Sequence, residues 1–276
     1  MISTIQFNIE KVLALDEAVY ILGPRISNDK ISDGKCVSEC WNKFMKDSKD
    51  GYDKWVESSG DDWKVERYDI INHLIKKYNY LNYLEIGICD GATFSKIDIE
   101  HKDGVDPNPL NAEGERLTNY RISSDDFFDL IRGHDIKYDI IFIDGLHHDY
   151  QVYRDIMNSL NHLTADGTIV CHDMNPLFEV TQLKRSFVGA GMWNGDCWKA
   201  WAKLRTENVG VEMKVVDTDH GVGIIRFGKQ ELFDTSNVQH LLQPKDKSAM
   251  FLLLNEHRKE LLNLISVDEF FKEYKL

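Results

Sequence analysis

The chain has 276 residues, 42% hydrophobic and 29% charged, with 18 Gly and 5 Pro, a composition suited to one large α/β core plus an appendage. A formal net charge of -13 argues against a nucleic-acid partner, which would need a basic face. No stretch approaches the roughly 20 apolar residues of a membrane span, the first residues lack the order of a signal peptide, and the five cysteines, at 36, 40, 89, 171 and 197, offer no second pair for a zinc site. The expectation is a cytoplasmic protein with reduced thiols and no membrane partner.

Residues 1–64 read as a helical N-terminal appendage or lid. Residues 8–22 are apolar enough for a helix that Gly23-Pro24 ends, and Trp41, Phe44, Trp55 and Trp63 then stand isolated among polar residues. Such aromatics pack onto a neighbouring core or close over a ligand. From Val65 the pattern is helical, with Tyr68, Ile71, Leu74, Ile75 and Tyr78 on one stripe. It leads into Tyr83-Leu84-Glu85-Ile86-Gly87-Ile88-Cys89-Asp90-Gly91, an apolar run that ends in an acidic residue and a glycine turn. A buried strand has this form where it stops under a nucleotide-like ligand. Gly87 and Gly91 lack side chains, which lets backbone approach a ligand closely; the dinucleotide spacing G-x-G-x-x-G is not present. Ala92 to Glu100 is expected to continue as a helix with its first amides facing the turn.

A second strand halts at Asp106 before Pro107-Asn108-Pro109, about 20 residues after the glycines. Its carboxylate suits the hydroxyls of a ribose, or caps the proline corner. In Ser123-Ser124-Asp125 one side chain caps the following helix, and the same turn can meet the base of a nucleotide. Tyr138 to Ile143 is the clearest buried strand; it ends in Asp144, followed by His147, His148 and Asp149. Thr168 to Cys171 runs into His172-Asp173. Carboxylates and imidazoles thus gather at the carboxyl ends of two strands, where open α/β sheets place ligands. Asp196 is expected to cap a helix carrying Trp198 and Trp201. Val211–Val216 and Gly221–Phe227 are joined by only four residues, a connection short enough for an antiparallel hairpin and too short for a parallel crossover. The leucines at 253, 254, 261 and 262, with Met250, make amphipathic stripes that cover the sheet edge or form a dimer contact.

Glu85-Ile86-Gly87 with Gly91, Gly104-Val105-Asp106-Pro107, Phe142-Ile143-Asp144-Gly145-Leu146-His147, His172-Asp173-Met174-Asn175-Pro176, Trp193, Gly195-Asp196, Trp198-Lys199 and the Asp217–Ile225 segment together resemble the class I S-adenosylmethionine-dependent methyltransferases. The subgroup is the methyltransferase-24 type, and the likeness covers roughly residues 65 to 228. It implies a doubly wound α/β fold, Rossmann-like, with a mostly parallel seven-stranded sheet closed by an antiparallel C-terminal hairpin. The expected organisation is the appendage, a methyltransferase core at 65–230 and a helical extension at 231–276. By position, Glu85, Gly87 and Gly91 would surround the methionine part of S-adenosylmethionine, Asp106 would hold the ribose, and Ser123, Ser124 and Asp125 would flank adenine. Asp144 and His147 would sit beside the transferable methyl.

Methyl transfer to a hydroxyl of a small molecule or sugar is the implied reaction, with His147 as the first choice of base and His172 as the second. Relatives in this family hold a divalent cation at the ends of the fourth and fifth strands. Here the ligands would be Asp144 and Asp173, with His172 or His147 completing the set. Oxygen ligands suit Mg2+, while imidazole tilts the choice toward a transition metal. The sequence departs from the subgroup at His148-Asp149-Tyr150, where a carboxylate at position 150 is usual. A metal-dependent hydroxylase-like enzyme or a non-catalytic binding protein on the same fold are the rival readings.

Overall fold

The computed structural model describes residues 65–183, 193–207, 209–236 and 247–276, with scattered positions between 39 and 54; at 247–250 it describes backbone alone. The expected helix at 8–22, Trp41, Trp55 and Trp63 lie outside the described residues, as does the side chain of Met250.

Strands β1 (Asn82–Ile86), β2 (His101–Val105), β3 (Tyr138–Ile143) and β4 (Leu163–Cys171) run parallel, with β1 between β2 and β3 and β4 beyond β3. β5 (Val211–Val216) and β6 (Val222–Phe227) form the expected antiparallel hairpin, and β6 lies antiparallel on β4. A two-residue strand, β7 (Leu264–Ile265), adds parallel to β5 and completes the order β2-β1-β3-β4-β6-β5-β7. This is the expected mostly parallel, Rossmann-like seven-stranded sheet closed by an antiparallel hairpin. Its seventh strand comes from the tail, a segment that reads as pure helix in sequence.

The central strands are largely buried on both faces because helices cover both. Leu84, Ile86, Ile141 and Ile143 face α3 (Ser124–Ile131), α4 (Asp149–His162), α5 (Cys197–Thr206) and α6 (Lys247–Leu262). Tyr83, Ile140 and Phe142, one residue out of step, face α1 (Arg67–Tyr78) and α7 (Val267–Glu273). Trp198 and Trp201 are core residues, and Leu253, Leu254, Leu261 and Leu262 are buried within the chain, so the tail's stripes cover its own sheet. Among the described residues no helix is long and apolar enough to cross a membrane.

Two local expectations are corrected. Ala92 to Glu100 forms only a 3-10 turn, Phe94–Lys96. Asp90 Oδ1 takes the amide of Ala92 at 3.0 Å, and Lys102 Nζ reaches the carbonyls of Phe94 and Ile97 at 2.8 and 3.1 Å, so both ends of a would-be helix are diverted. The chain then turns extended at Ile97 (ψ 120). No helix N-terminus therefore follows the glycine turn. Asp196 does precede α5, yet its carboxylate does not cap it. Its Oδ1 accepts the amide of Asp149, the first residue of α4, at 2.9 Å. One side chain thereby fixes the neighbouring helix start.

Candidate active site

The carboxyl ends of β1 to β4 border a cavity of about 810 Å³. Gly87 donates to Val105 O and Asp144 to Ile86 O, so each strand holds the next at the point where it stops. The cavity is lined by Glu85, Gly87, Asp106, Ser123, Ser124, Asp125, Asp144, His147, His172 and Asp173, which brings together ten of the eleven residues singled out in sequence. The eleventh, Gly91, is not in the lining: at φ +82 it faces Leu117, whose Cδ1 would lie 2.6 Å from an added Cβ. Gly87 lines the cavity with backbone, but its missing Cβ is needed by the protein itself. At φ +93 a Cβ would sit 2.2 Å from the Asp144 carbonyl oxygen. Both glycines thus serve packing and backbone conformation.

Asp106 braces that turn. Its Oδ2 accepts the amides of Ile88 and Cys89 at 3.0 and 2.8 Å, and Oδ1 accepts that of Asn108 at 2.7 Å. Corner capping and presentation to the cavity coexist, since an ionised carboxylate has about four acceptor sites. Ser123 caps α3 by accepting the amide of Asp126 at 3.1 Å. Ser124 Oγ and Asp125 Oδ1 both accept from Gln151 Nε2, at 3.1 and 3.3 Å, and Gln151 also donates to buried Asp155 at 3.0 Å. α4 therefore supports the turn assigned to adenine through a glutamine that the sequence does not advertise.

The same cavity holds a charged cluster. His147 Nε2 lies 3.4 Å from Asp144 Oδ1 and its Nδ1 3.4 Å from Asp173 Oδ2. His172 Nδ1 lies 3.4 Å from Asp144 Oδ1 and 3.2 Å from Asp173 Oδ2, while its Nε2 faces Asp219 Oδ1 at 3.3 Å. Asn194 Nδ2 donates to Asp173 Oδ1 at 2.7 Å. The indole of Trp193 stacks on His147, centroids 4.8 Å apart. Arg67, the first residue of α1, forks onto Asp219 through Nε (2.8 Å) and Nη2 (2.9 Å) and reaches Asp144 Oδ2 with Nη1 at 3.2 Å. Asp173, Asp219 and His220 all have positive φ (64, 43 and 60), backbone strain concentrated where the chain must turn side chains inward.

Arg67 and Asp219 were not singled out in sequence. A hairpin aspartate looks like an ordinary turn residue. Arg67 leaves a faint trace: a cation in the first turn of a helix opposes the macrodipole and so calls for another reason to be there.

The electrostatics follow from burial and pairing. Burial pushes Asp144 and Asp173 upward, but His172, His147 and, for Asp144, Arg67 outweigh it and hold both carboxylates below their ordinary range. Burial pushes His147 and His172 down, and the facing carboxylates reverse this, so both imidazoles are raised above their usual value. His220, which also lines the cavity, is lowered by burial. Glu85 is pushed up to about 8, first by burial and next against a hydrogen bond from Tyr83 that lowers it.

Residues 84–174 match the family described as a methyltransferase domain, of the methyltransferase-24 type. The matched stretch contains the glycine turn, Asp106, Asp144, His147, His172 and Asp173. No curated protein matches the chain. Among solved structures the chain is similar to an SAH-bound methyltransferase of Podospora anserina, at 15% identity over 59% of this chain and 78% of that one, TM-score 0.43. An O-methyltransferase of Bacillus cereus in complex with SAH is 14% identical over 56% and 76%, TM-score 0.41. A sugar N-methyltransferase of Streptoalloteichus is 13% identical over 64% and 93%, TM-score 0.42.

Proposed function

We propose that the chain transfers a methyl group from S-adenosylmethionine to a hydroxyl of a small-molecule or sugar acceptor. The observation that carries this reading is the convergence of Asp144, His147, His172 and Asp173 on one cavity that the glycine turn, Asp106 and the Ser123–Asp125 turn also line. The residues fit the cofactor: hydroxyl and carboxyl acceptors for adenosine, with a buried carboxyl and backbone in the same lining. When bound, the cofactor supplies an electrophilic methyl on a sulfonium that departs as a neutral thioether. The protein must then align the acceptor and take one proton from it.

His147 takes that proton. Asp144 and Asp173 flank its two nitrogens and fix the ring, Trp193 packs on its face, and Asn194 holds Asp173 in turn. Because those carboxylates raise His147, its neutral, basic form gains population only above the ordinary histidine value, and turnover by this route rises with pH on the alkaline side of 6.5. His147→Ala is expected to reduce kcat by about 10²- to 10⁴-fold with cofactor affinity little changed. A single-turnover assay paired with calorimetry checks it, and an alanine variant that turns over normally would remove His147 from the reaction. Asp106→Ala should do the reverse, weakening cofactor binding about tenfold or more, equivalent to losing roughly 1.4 kcal/mol. Equal binding by the variant in the same calorimeter would withdraw the ribose assignment.

A second route is favoured by one specific observation. Asp144, His147 and Asp173 each offer a ligand atom within 4.8 Å of the others, and among the described residues His147 Nδ1 is buried without a hydrogen-bond partner, the Asp173 carboxylate facing it at 3.4 Å. These three would hold a divalent cation, and two carboxylates with one imidazole suit a transition metal as well as Mg2+. A cation there would lower the acceptor hydroxyl's pKa. His147 cannot be both ligand and base, so the two routes exclude one another. Transfer that survives exhaustive chelation supports the histidine route, and transfer restored only by added metal supports the other.

A further inference from the structure

A second cavity, of about 640 Å³, shares no lining residue with the first. β6 runs antiparallel to β4, so the segment after Phe227 leaves the sheet at the edge opposite the active site. That segment, Lys229 to Asp234, lines the cavity together with the C-terminal part of α6 and with Arg205, near the end of α5. Arg205 is the only buried lysine or arginine among the described residues, at 5% exposure. Its guanidinium has three acceptors, all neutral. Nη1 donates to Gln230 Oε1 and, at 2.8 Å, to the carbonyl of Glu231, while Nη2 donates to the carbonyl of Glu260 at 3.3 Å. Nε is buried and, among the described residues, has no acceptor. Nor does any described carboxylate pair with this arginine, whereas Arg67 has two. Carbonyl dipoles lend partial charges, but a cation taken out of water calls for a full counter-charge. Burial accordingly pulls Arg205 below the usual arginine value, with only the Glu231 charge acting the other way.

The acids around the cavity do not fill that role. Glu212 pairs with Lys214 at 2.7 Å, and Asp234 accepts the amide and hydroxyl of Ser236 at 2.9 and 3.0 Å. Glu231 and Glu260 give Arg205 their main-chain carbonyls and are themselves exposed. Lys229 and Lys259, also exposed, add two cations to the same lining. We propose that this cavity is a second binding site, for a small anion: a carboxylate or phosphate group is the missing counter-charge of Arg205, and Lys229 and Lys259 draw it in. The volume is that of a site for a small metabolite, so the anionic group can be one end of a larger molecule. The site is independent of the methyl-transfer reading, since the two cavities have no residue in common.

The test is isothermal titration calorimetry of the full chain at pH 7, with inorganic phosphate as one probe and succinate as the other. Ionic strength is held constant so that general salt effects cancel. The wild type is expected to show one saturable site for at least one probe. Phosphate alone assigns a phosphate ligand, succinate alone a carboxylate, and both together a site that reads charge. Lys229→Glu reverses an exposed charge and should weaken binding roughly threefold to tenfold, while Glu231→Gln removes a repelling acid and should tighten it. Arg205→Met should abolish binding in a protein that a melting curve shows to be folded; if that variant does not fold, the two surface variants decide. An arginine that only ties α5 to α6 predicts no saturable heat from either probe in the wild type, and that result would overturn the proposal. Binding that Lys229→Glu and Glu231→Gln both leave unchanged would overturn it too, because the anion would then sit elsewhere on the chain.

Discussion

Asp144→Asn is expected to reduce turnover by about 10²- to 10⁴-fold while leaving the fold in place. Asp144 is the point at which three cationic groups meet: Arg67 Nη1 at 3.2 Å, His147 Nε2 at 3.4 Å and His172 Nδ1 at 3.4 Å. Asparagine keeps the shape but loses the charge, and its amide turns donors toward donors. The imidazole of His147 then loses one of the two anions that orient it, and a cation at this site would lose a ligand. Both chemical routes require Asp144, so the loss is expected with or without metal. The readout is single-turnover transfer beside a melting curve. Wild-type turnover in a folded Asp144→Asn protein would place the chemistry elsewhere in the cavity.

Arg67→Met should cost stability more than any other single change at the site. Asp219 is 3% exposed and depends on the Arg67 fork and on His172. Removing one partner of a buried ion pair costs about 3–5 kcal/mol, which for a core of this size corresponds to a fall in Tm of roughly 6–20 °C. The pH dependence has a definite sign. Burial alone would raise Asp219, but His172 and Arg67 bring it well below its ordinary value. A carboxylate depressed in this way stabilises the fold above its unfolded pKa of about 3.9, and that contribution is lost as pH falls through the folded value. The variant should therefore unfold at a higher pH than the wild type during acid titration. Arg67→Lys should recover only part, because an ammonium cannot reproduce two parallel bonds to one carboxylate. Coincident acid-unfolding curves for wild type and Arg67→Met would show that the fork contributes nothing.

The strand ends were legible in sequence because short apolar runs stop at acidic residues, and the hairpin because four residues cannot carry a crossover. Those signals are local. Where a neighbour decided the outcome, the sequence misled. Ala92 to Glu100 has helical composition, but Lys102 from the next strand takes the carbonyls it would have used. Asp196 stands where a cap belongs and serves the adjacent helix instead. Gly91 looks like part of a ligand turn, and its φ of +82 beside the Leu117 side chain gives it a local packing role as well. β7 is two residues long, too short to show a period at all. Arg67 lies 77 residues before the carboxylate it reaches, and nothing in its immediate surroundings names that partner.

The segment after β7 lies far from the cavity along the chain, yet it holds the helix that begins there. His73, on α1, meets Phe270 and Phe271 edge-on at 5.4 and 4.9 Å and hydrogen-bonds the carbonyl of Tyr274 at 2.7 Å; Lys77 reaches the carbonyl of Lys275 at 2.6 Å. α7 is thus a splint along the rod that carries Arg67 at its tip. Engineering that disturbs residues 267–275, such as a fused tag with a stiff junction, should register at the opposite end of that rod as a misaligned guanidinium in the cavity wall, with no cavity residue substituted.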